Sequence, residues 1–148
     1  MIAVIQRVKN ASVSIDGALH SKIDGGLLIL LGVKDGDSER DAELLANKIS
    51  KLRIFSDEND KMNLSVMDVN GSVLVVSNFT LLANYKKGNR PDYMNGAKPD
   101  VANRLYEYFC SCISTSVPTE KGVFGADMKI ELLNDGPVTI VMDSEVLK

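Results

Sequence analysis

The chain has 148 residues, of which 45% are hydrophobic and 25% charged, with a formal net charge of −3. This length predicts a single domain, residues 1–148, that buries about two thirds of its unfolded surface. No apolar run approaches the roughly 20 residues of a membrane span, and Gln6, Arg7 and Lys9 interrupt the start of the chain, where a signal peptide would be apolar. We therefore expect a cytoplasmic protein. The net negative charge argues against a protein that binds nucleic acid over most of its surface, without excluding a local contact.

The first third of the chain is predicted to be rich in strands. Met1–Val8 alternates and continues into Ser12–Ile15, which predicts two strands or one bent strand, ending at the turn signal Asp16-Gly17. Leu19–Ile23 predicts a further short strand. The uninterrupted apolar run Leu27–Val33 is short enough to be a strand buried on both faces, and we expect it at the centre of this half.

A helix is predicted after this run. Ser38, followed three residues later by Asp41, is typical of a helix N-cap. Apolar residues then recur at helical spacing and form one stripe for packing on the sheet: Ala42, Leu45, Ile49 and Leu52. Beyond the helix, Arg53–Phe55 predicts a short strand and Ser56–Asn63 a charged loop.

The dipeptide Asn70-Gly71 is the strongest two-residue hairpin signal in the chain. Leu64, Val66 and Val69 lead into it. Ser72–Leu82 is therefore predicted to be the returning strand of a hairpin.

Residues 84–100 have no periodicity and concentrate cations and aromatic rings. Lys86, Lys87 and Arg90 lie between Tyr85 and Tyr93. In an acidic chain, such a loop is either a solvated surface segment or a contact for phosphate groups.

A second helix is predicted after Pro99, because apolar residues recur at helical spacing from Val101 to Cys112. Cys110 and Cys112 point in different directions on this helix, so we expect two reduced thiols. No group of Cys or His residues completes a zinc site, and we expect no metal and no organic cofactor.

The end of the chain predicts a hairpin. After a glycine-containing loop over Pro118–Ala126, the apolar runs Met128–Leu133 and Val138–Met142 predict two strands with a turn between them. Gly136-Pro137 lies in that turn. Because Pro has no N–H and Gly no side chain, we expect an exposed corner that presents bare backbone carbonyls.

The order strand-rich, helix, strand-rich, helix, strand-rich predicts a mixed α/β fold. We expect mixed β-sheets that close toward a barrel, with two helices outside it. No linker or low-complexity segment divides the chain.

Ser77 and Thr80 are the first candidates for a nucleophile. Either hydroxyl would need a neighbouring base to react at neutral pH, and His20 is the only histidine. The sequence around Ser77 lacks the G-x-S-x-G pattern of a nucleophile elbow. Two alternatives follow: a Ser-His-Asp triad that depends on His20, or hydroxyls that satisfy backbone groups at a strand end.

Two stretches in a fixed order indicate a family. Ser77-Asn78-Phe79-Thr80-Leu81 follows the apolar run Val73–Val76, and Gly122–Met128 leads into Asn134–Thr139. This pattern resembles the D-aminoacyl-tRNA deacylase family, and the resemblance extends from Ile5-Gln6-Arg7-Val8 to Thr139. The family usually has Gln at the position of Asn78, so the contacts of that side chain differ here, while backbone contacts at the same place are kept.

The resemblance implies a deacylase-like fold and a homodimeric carboxylic ester hydrolase. Its substrates would be D-aminoacyl-tRNA and glycyl-tRNA mischarged on tRNA-Ala, and its products free tRNA and the amino acid. The terminal 2′-hydroxyl of the tRNA would assist cleavage. Backbone N–H groups near Phe79 and Thr80, beside Ser77, would receive the developing negative charge. Such a route suits a chain that is poor in general bases.

The resemblance also implies how L-amino acids are rejected. Gly136-Pro137, in cis, would enter the pocket of the other subunit, where its carbonyls would collide with an L side chain. Arg7, Asn134 and Thr139 would support this corner, although Arg7 also fits a surface position on a strand. Four residues would line the substrate pocket, where Met128 equally fits a core position: Asn78, Phe124, Ala126 and Met128.

Lys86, Lys87 and Arg90 would contact phosphates of the acceptor stem of the tRNA under the same resemblance. Two rival functions remain open. One is a conventional serine esterase of small substrates, in which His20 approaches Ser77. The other is a non-catalytic RNA-binding module that uses the basic segment.

Overall fold

The computed structural model describes residues 1–148 and contains eight strands, two α-helices and two 3₁₀ helices. The strands are β1 (Ile2–Ile15), β2 (Ala18–Ile23), β3 (Gly26–Gly32), β4 (Phe55–Ser56), β5 (Met62–Leu64), β6 (Ser72–Ser77), β7 (Thr119–Lys121) and β8 (Lys129–Asp143). The α-helices are α1 (Glu39–Ser50) and α2 (Pro99–Ser114), and the 3₁₀ helices are Phe79–Leu82 and Ser144–Leu147.

β1 is the strand on which the sheet is built. Its first half pairs antiparallel with β3 and its second half with β2, while β8 pairs along its other edge. β6 joins β3 in parallel, and β7 joins β6 in parallel. β2 and β7 end this series of strands, and Ser21 Oγ of β2 donates to the carbonyl of Lys121 in β7 at 2.9 Å. The sheet thus curls toward closure, and the predicted mixed α/β fold is confirmed.

The predicted C-terminal hairpin is wrong, because this segment is one strand, β8, with a bulge at Gly136-Pro137. Both halves of β8 pair with β1, on either side of the bulge. Between two successive ladder pairs, β1 has one residue, Arg7, whereas β8 has four, residues 135–138. Pro cannot donate to a ladder, so the chain loops out here. Since β1 is long enough to pair on both sides, the strand resumes instead of turning back.

The predicted hairpin at Asn70-Gly71 is also wrong. Asn70 has the positive φ of 53° that such a turn needs, but it ends a compact local turn in which Asp68 Oδ2 accepts from the N–H of Ser65 at 2.8 Å. β5 pairs with β4, and β6 pairs with β3 and β7. An Asn-Gly pair requires only the left-handed backbone, which this local turn uses without strands on either side.

The end of one strand and the presence of two short strands also differ from prediction. β6 ends at Ser77 instead of Leu82, because Asn78 caps a 3₁₀ helix there. β5 and β7 lie in segments predicted to be loops. Each has three residues and takes its conformation from the strand it pairs with, so its own sequence shows little periodicity.

α1 and α2 pack together on one face of the sheet, as predicted. The main core lies between the helices and this face, and it includes Ile5, Ile29, Leu45 and Phe109. The opposite face forms a smaller core inside the curled sheet, from Val8, Val13, Leu28, Leu74 and Val76 among others. Cys110 and Cys112 are free thiols, as predicted. Neither α-helix combines the length and apolar character that crossing a bilayer requires.

The predicted N-cap of α1 belongs to a larger network around Asp41, which is buried. Asp41 Oδ2 accepts from the N–H of Ser38 at 2.9 Å, and Oδ1 accepts from Ser144 Oγ at 2.7 Å and lies 3.0 Å from Lys148 Nζ. Burial raises the pKa of this carboxyl, but the hydrogen bonds outweigh burial and hold the pKa below its ordinary value of 3.8. The network joins α1 to the last turn of the chain.

We predict that Asp41→Asn lowers the free energy of unfolding at pH 7 by about 2–3 kcal/mol, because charge-assisted hydrogen bonds are lost inside the protein. The depressed pKa means that the contribution of Asp41 is complete above pH 3.8 and declines as the pH falls further. The difference between wild type and variant should therefore shrink below that pH. Urea unfolding across a pH series measures it, with Asp24→Asn, an exposed carboxylate without an ion pair, as the control.

Equal destabilisation by both substitutions, or a difference between wild type and Asp41→Asn that grows on acidification, would contradict this account of the network.

Candidate active site

A cavity of about 630 Å³ opens beside the end of β6. One wall is the end of β6 and the 3₁₀ helix after it, with Ser77, Asn78 and Phe79. The facing wall is the segment before β8, with Phe124, Ala126 and Met128. Nine of the 15 lining residues are hydrophobic, as is typical of a site for a small organic group. The cavity thus brings together the two stretches on which the family resemblance depends.

Asn78 shapes the first wall. Its Oδ1 accepts from the backbone N–H of Thr80 at 3.2 Å and also from the Thr80 hydroxyl. These bonds fix the orientation of the side-chain amide, because a backbone N–H requires an oxygen acceptor. Asn78 Nδ2 forms no hydrogen bond within the chain, so it is a free donor on a residue that lines the cavity.

Phe79 and Thr80 differ in what their backbone N–H groups can do. Phe79 is the first residue of its 3₁₀ helix, so the helix provides no carbonyl for its N–H. The N–H of Thr80 is occupied by Asn78. Thr80 is exposed and does not line the cavity. Of these two predicted oxyanion donors, Phe79 alone lines the cavity, and its N–H has no acceptor within its helix.

Ser77 lacks a neighbouring base. Tyr93 and Asp127 are the titratable residues among those that line the cavity, and Asp127 Oδ1 is paired with Lys129 Nζ at 2.8 Å. His20 lies exposed on β2 and does not line the cavity. The geometry therefore gives Ser77 no partner of the kind that activates a hydroxyl nucleophile.

The second wall packs on the protein interior through the ring of Phe124 and the side chain of Met128. Phe124, Ala126 and Met128 are half-buried and alternate with exposed residues. The ring of Phe124 lies 6.3 Å from that of the buried Tyr106, centroid to centroid. Tyr106 donates to the carbonyl of Val75 at 2.9 Å, and burial raises the pKa of its hydroxyl. These half-buried positions let one side chain serve both the core and the cavity.

Sequence analysis did not identify the third wall, which comes from the segment before α2 and the first turn of that helix. It consists of Tyr93, Gly96, Ala97, Pro99 and Ala102. These are mostly small residues, so neither periodicity nor a reactive side chain marks them. Of these five residues, only Tyr93 stood out in the sequence, as one of the aromatic residues of the basic segment.

The corner at Gly136-Pro137 is exposed and does not line the cavity of its own chain. Its peptide bond is cis. Arg7 Nε donates to the carbonyl of Asp135 at 2.8 Å, and Arg7 Nη1 donates to the carbonyl of Ile54 at 2.7 Å. Arg7 is thus largely buried behind the corner, not a free surface side chain.

Asn134 closes the corner from the other side. Its Nδ2 donates to the carbonyl of Arg7 at 3.0 Å and to that of Val138 at 3.1 Å. A Cβ on Gly136 would lie 2.5 Å from Asn134 Oδ1 and would also collide with the backbone N of Val138. Thr139 Oγ1 accepts from Gln6 Nε2 at 3.2 Å where the ladder resumes. The corner is held from both ends and tolerates no side chain at its glycine.

The basic loop, residues 84–92, is pinned at its neck. The N–H of Asn84 donates to the carbonyl of Asp92 at 2.8 Å, and the N–H of Asp92 donates to the carbonyl of Asn84 at 2.9 Å. Lys86, Lys87 and Arg90 are exposed and form no ion pair within the chain. The loop therefore presents three uncompensated cations.

One group of carboxylates could in principle share a cation, but it lies away from the cavity. Oxygens of Asp37, Asp41 and Glu145 lie within 4.8 Å of one another. Lys148 Nζ lies 3.0 Å from Asp41 Oδ1 and 2.7 Å from Glu145 Oε1. The chain's own ammonium group already compensates these charges.

Comparison with known proteins gives matches along nearly the whole chain. The family model described as D-Tyr-tRNA(Tyr) deacylase matches residues 4–143. A D-aminoacyl-tRNA deacylase of Parabacteroides distasonis is 56% identical over 147 residues, 98% of each chain. Another, of Porphyromonas gingivalis, is 56% identical over 146 residues, 97% of each chain.

Two solved structures share the fold. One is titled c-Myc DNA Unwinding Element Binding Protein; it is 39% identical, with a TM-score of 0.91, over 97% of this chain and 98% of that one. The other, a probable eukaryotic D-amino acid tRNA deacylase, is 14% identical, with a TM-score of 0.83, over 96% of this chain and 98% of that one. The second likeness concerns the fold alone.

Proposed function

The chain belongs to the D-Tyr-tRNA(Tyr) deacylase family, and from this premise we propose that it hydrolyses the ester bond of D-aminoacyl-tRNA, releasing tRNA and the D-amino acid. The observation that carries the proposal is the shared cavity of the two motifs, with Ser77, Asn78 and Phe79 facing Phe124, Ala126 and Met128. A largely apolar cavity of about 630 Å³ suits a terminal adenosine with its amino acid. Since tRNA is charged in the cytoplasm, the enzyme would act there.

In the proposed reaction the protein orients the ester and stabilises charge, while the substrate supplies the reactive hydroxyl. Water adds to the ester carbonyl with help from the terminal 2′-hydroxyl, and the bond to the 3′ oxygen then breaks as that oxygen takes up a proton. The N–H of Phe79 and Nδ2 of Asn78 are the available donors for the developing oxyanion. The absence of a base beside Ser77 supports this route over a serine esterase.

We propose that Gly136-Pro137 enters the cavity of a second copy of the chain and excludes L-amino acids there. The ladder between β1 and β8 skips residues 135–138, which leaves the carbonyls of Gly136 and Pro137 outside it. A rigid wall of carbonyls rejects by collision, without recognising any particular side chain. Many D-residues would then be accepted. Glycine would be accepted too, because it has no side chain to reject.

A homodimer is supported by the apolar surface next to this corner. Val4, Leu30 and Val141 lie side by side in register, on the face opposite Ala3 and Ile5, which pack under the helices. Val141 is 70% exposed. Burial of this face against its copy would bring the corner of one subunit toward the other subunit.

We predict that wild type releases the amino acid from D-tyrosyl-tRNA and not from L-tyrosyl-tRNA, and that Gly136→Ala loses at least about tenfold in this preference, about 1.4 kcal/mol. The added methyl group collides with Asn134 and Val138 and must displace the corner. Initial rates on the matched substrates measure the preference. Gly25→Ala is the matched control, because a Cβ there meets nothing within 4 Å.

A folded Gly136→Ala variant that cleaves only D-tyrosyl-tRNA, at the normal rate, would refute the role of the corner. Tight binding of tRNA by wild type without release of either amino acid would instead favour an RNA-binding module.

We predict that no residue of the chain forms an acyl intermediate. His20→Ala should keep its rate within about twofold, and neither Ser77→Ala nor Thr80→Ala should approach the roughly 10⁶-fold loss that removal of a nucleophile causes. Rapid acid quenching followed by mass spectrometry of the intact protein tests for the intermediate. An adduct on Ser77 or Thr80, or abolition of the reaction by His20→Ala, would establish the serine esterase.

We propose that Lys86, Lys87 and Arg90 contact phosphates of the tRNA. Three such contacts predict that doubling the salt concentration lowers kcat/KM by about four- to sixfold. Replacing all three residues by Ala should lower the rate at low salt and remove most of the salt dependence. Replacing Lys48, Lys51 and Lys61 by Ala is the control, because these are exposed cations elsewhere on the chain and the net charge changes equally. This control variant should keep the salt dependence of wild type. An unchanged rate of wild type in doubled salt would exclude these contacts.

A further inference from the structure

Phe79 is unusually exposed for an aromatic residue that lines a cavity. It is 61% exposed and belongs to neither hydrophobic core cluster. Burying a Phe side chain contributes about 1.5–3 kcal/mol, and the fold takes little of this contribution here. The ring is therefore available to a ligand.

Tyr93 fixes the position of that ring. The centroids of Phe79 and Tyr93 lie 4.9 Å apart, with an angle of 78° between the ring planes. This edge-to-face geometry is a favourable one for two aromatic rings. Tyr93 is itself 37% exposed, and both rings line the cavity. Together they form a supported aromatic surface, the Phe79–Tyr93 pair, that remains open to solvent.

The two rings lie on either side of the basic loop along the chain. The chain leaves through the 3₁₀ helix that starts at Phe79, reaches the neck at Asn84, and returns through Asp92 directly to Tyr93. Because the neck is closed by paired backbone bonds, the loop leaves and rejoins the chain next to Tyr93. The surface thus changes from an apolar cavity to exposed rings and then to unpaired cations.

We infer that the Phe79–Tyr93 pair stacks the base of the penultimate nucleotide at the single-stranded 3′ end of the substrate. The inference rests on the proposed function, in which the cavity takes the terminal adenosine and its amino acid. The phosphate contacts proposed above for Lys86, Lys87 and Arg90 would draw the phosphate of the next nucleotide toward the basic loop. Unpaired bases commonly stack on aromatic side chains, and each stacked base contributes about 1–3 kcal/mol.

The test compares three D-tyrosyl esters: adenosine, the dinucleotide cytidylyl-adenosine, and full-length tRNA. Phe79→Leu keeps the backbone N–H and most of the apolar volume but removes the ring. Its kcat/KM on the dinucleotide and on tRNA, each divided by its kcat/KM on adenosine, should fall by about 5- to 100-fold relative to the same ratios for wild type. Phe79→Tyr, which keeps a ring, should restore the rate on all three esters. Tyr93→Leu should follow Phe79→Leu.

Equal losses by Phe79→Leu on all three esters would overturn the inference, because the ring would then only complete the cavity wall. Unchanged rates on the dinucleotide and on tRNA would overturn it as well. Failure of the proposed function has a different signature, since wild type would then cleave none of the three esters. Thermal unfolding of each variant verifies that the fold is kept.

Discussion

The pairing of β8 with β1 is the constraint on which the rest of the structure depends. β1 is long enough to hold β8 on both sides of Gly136-Pro137, so an excursion that would end most strands becomes a bulge instead. Arg7, the one residue of β1 opposite the bulge, bonds the carbonyl of Asp135. Asn134 bonds the backbone on both strands. The ladder therefore fixes a short stretch of bare main chain in one place.

Main-chain chemistry also dominates the cavity. No base stands near Ser77, and the titratable lining residues are a tyrosine and an aspartate already paired with Lys129. Backbone N–H groups at the start of a short helix are donors whose positions are fixed by the fold and whose charge state does not change with pH. Under the proposed function, an enzyme built in this way would select by shape and orient its substrate, and it would leave proton transfer to water and to the substrate's hydroxyl.

The sequence predicted the elements that carry strong local signals. The Ser38–Asp41 cap, the buried run that became β3 and both helices appear where the pattern put them, although Leu52 of the first predicted stripe lies beyond the end of α1. Prediction from the sequence failed where pairing with distant strands decides the structure of a segment. Asn70 has the positive φ of a turn residue, and residues 135–138, with Gly136-Pro137, loop out of the ladder, so the chain does bend at both places. Which strands lie beside such a bend depends on pairing across the whole sheet. The third wall of the cavity was not predicted because its small residues, in the irregular segment before α2 and in the first turn of α2, carry no signal of a binding site.

Asn78 shows how one methylene can change the role of a side chain at this site. Its short amide folds back and holds both the N–H and the hydroxyl of Thr80, which removes one backbone donor and leaves Nδ2 free in its place. A Gln side chain is longer by one methylene, so the same backbone geometry would carry its amide beyond this cap. The donors offered to a substrate carbonyl would then differ, although the backbone of the motif is the same. Under the proposed function, the consequence of this exchange therefore lies in which donors are offered to the ester, and not in the fold.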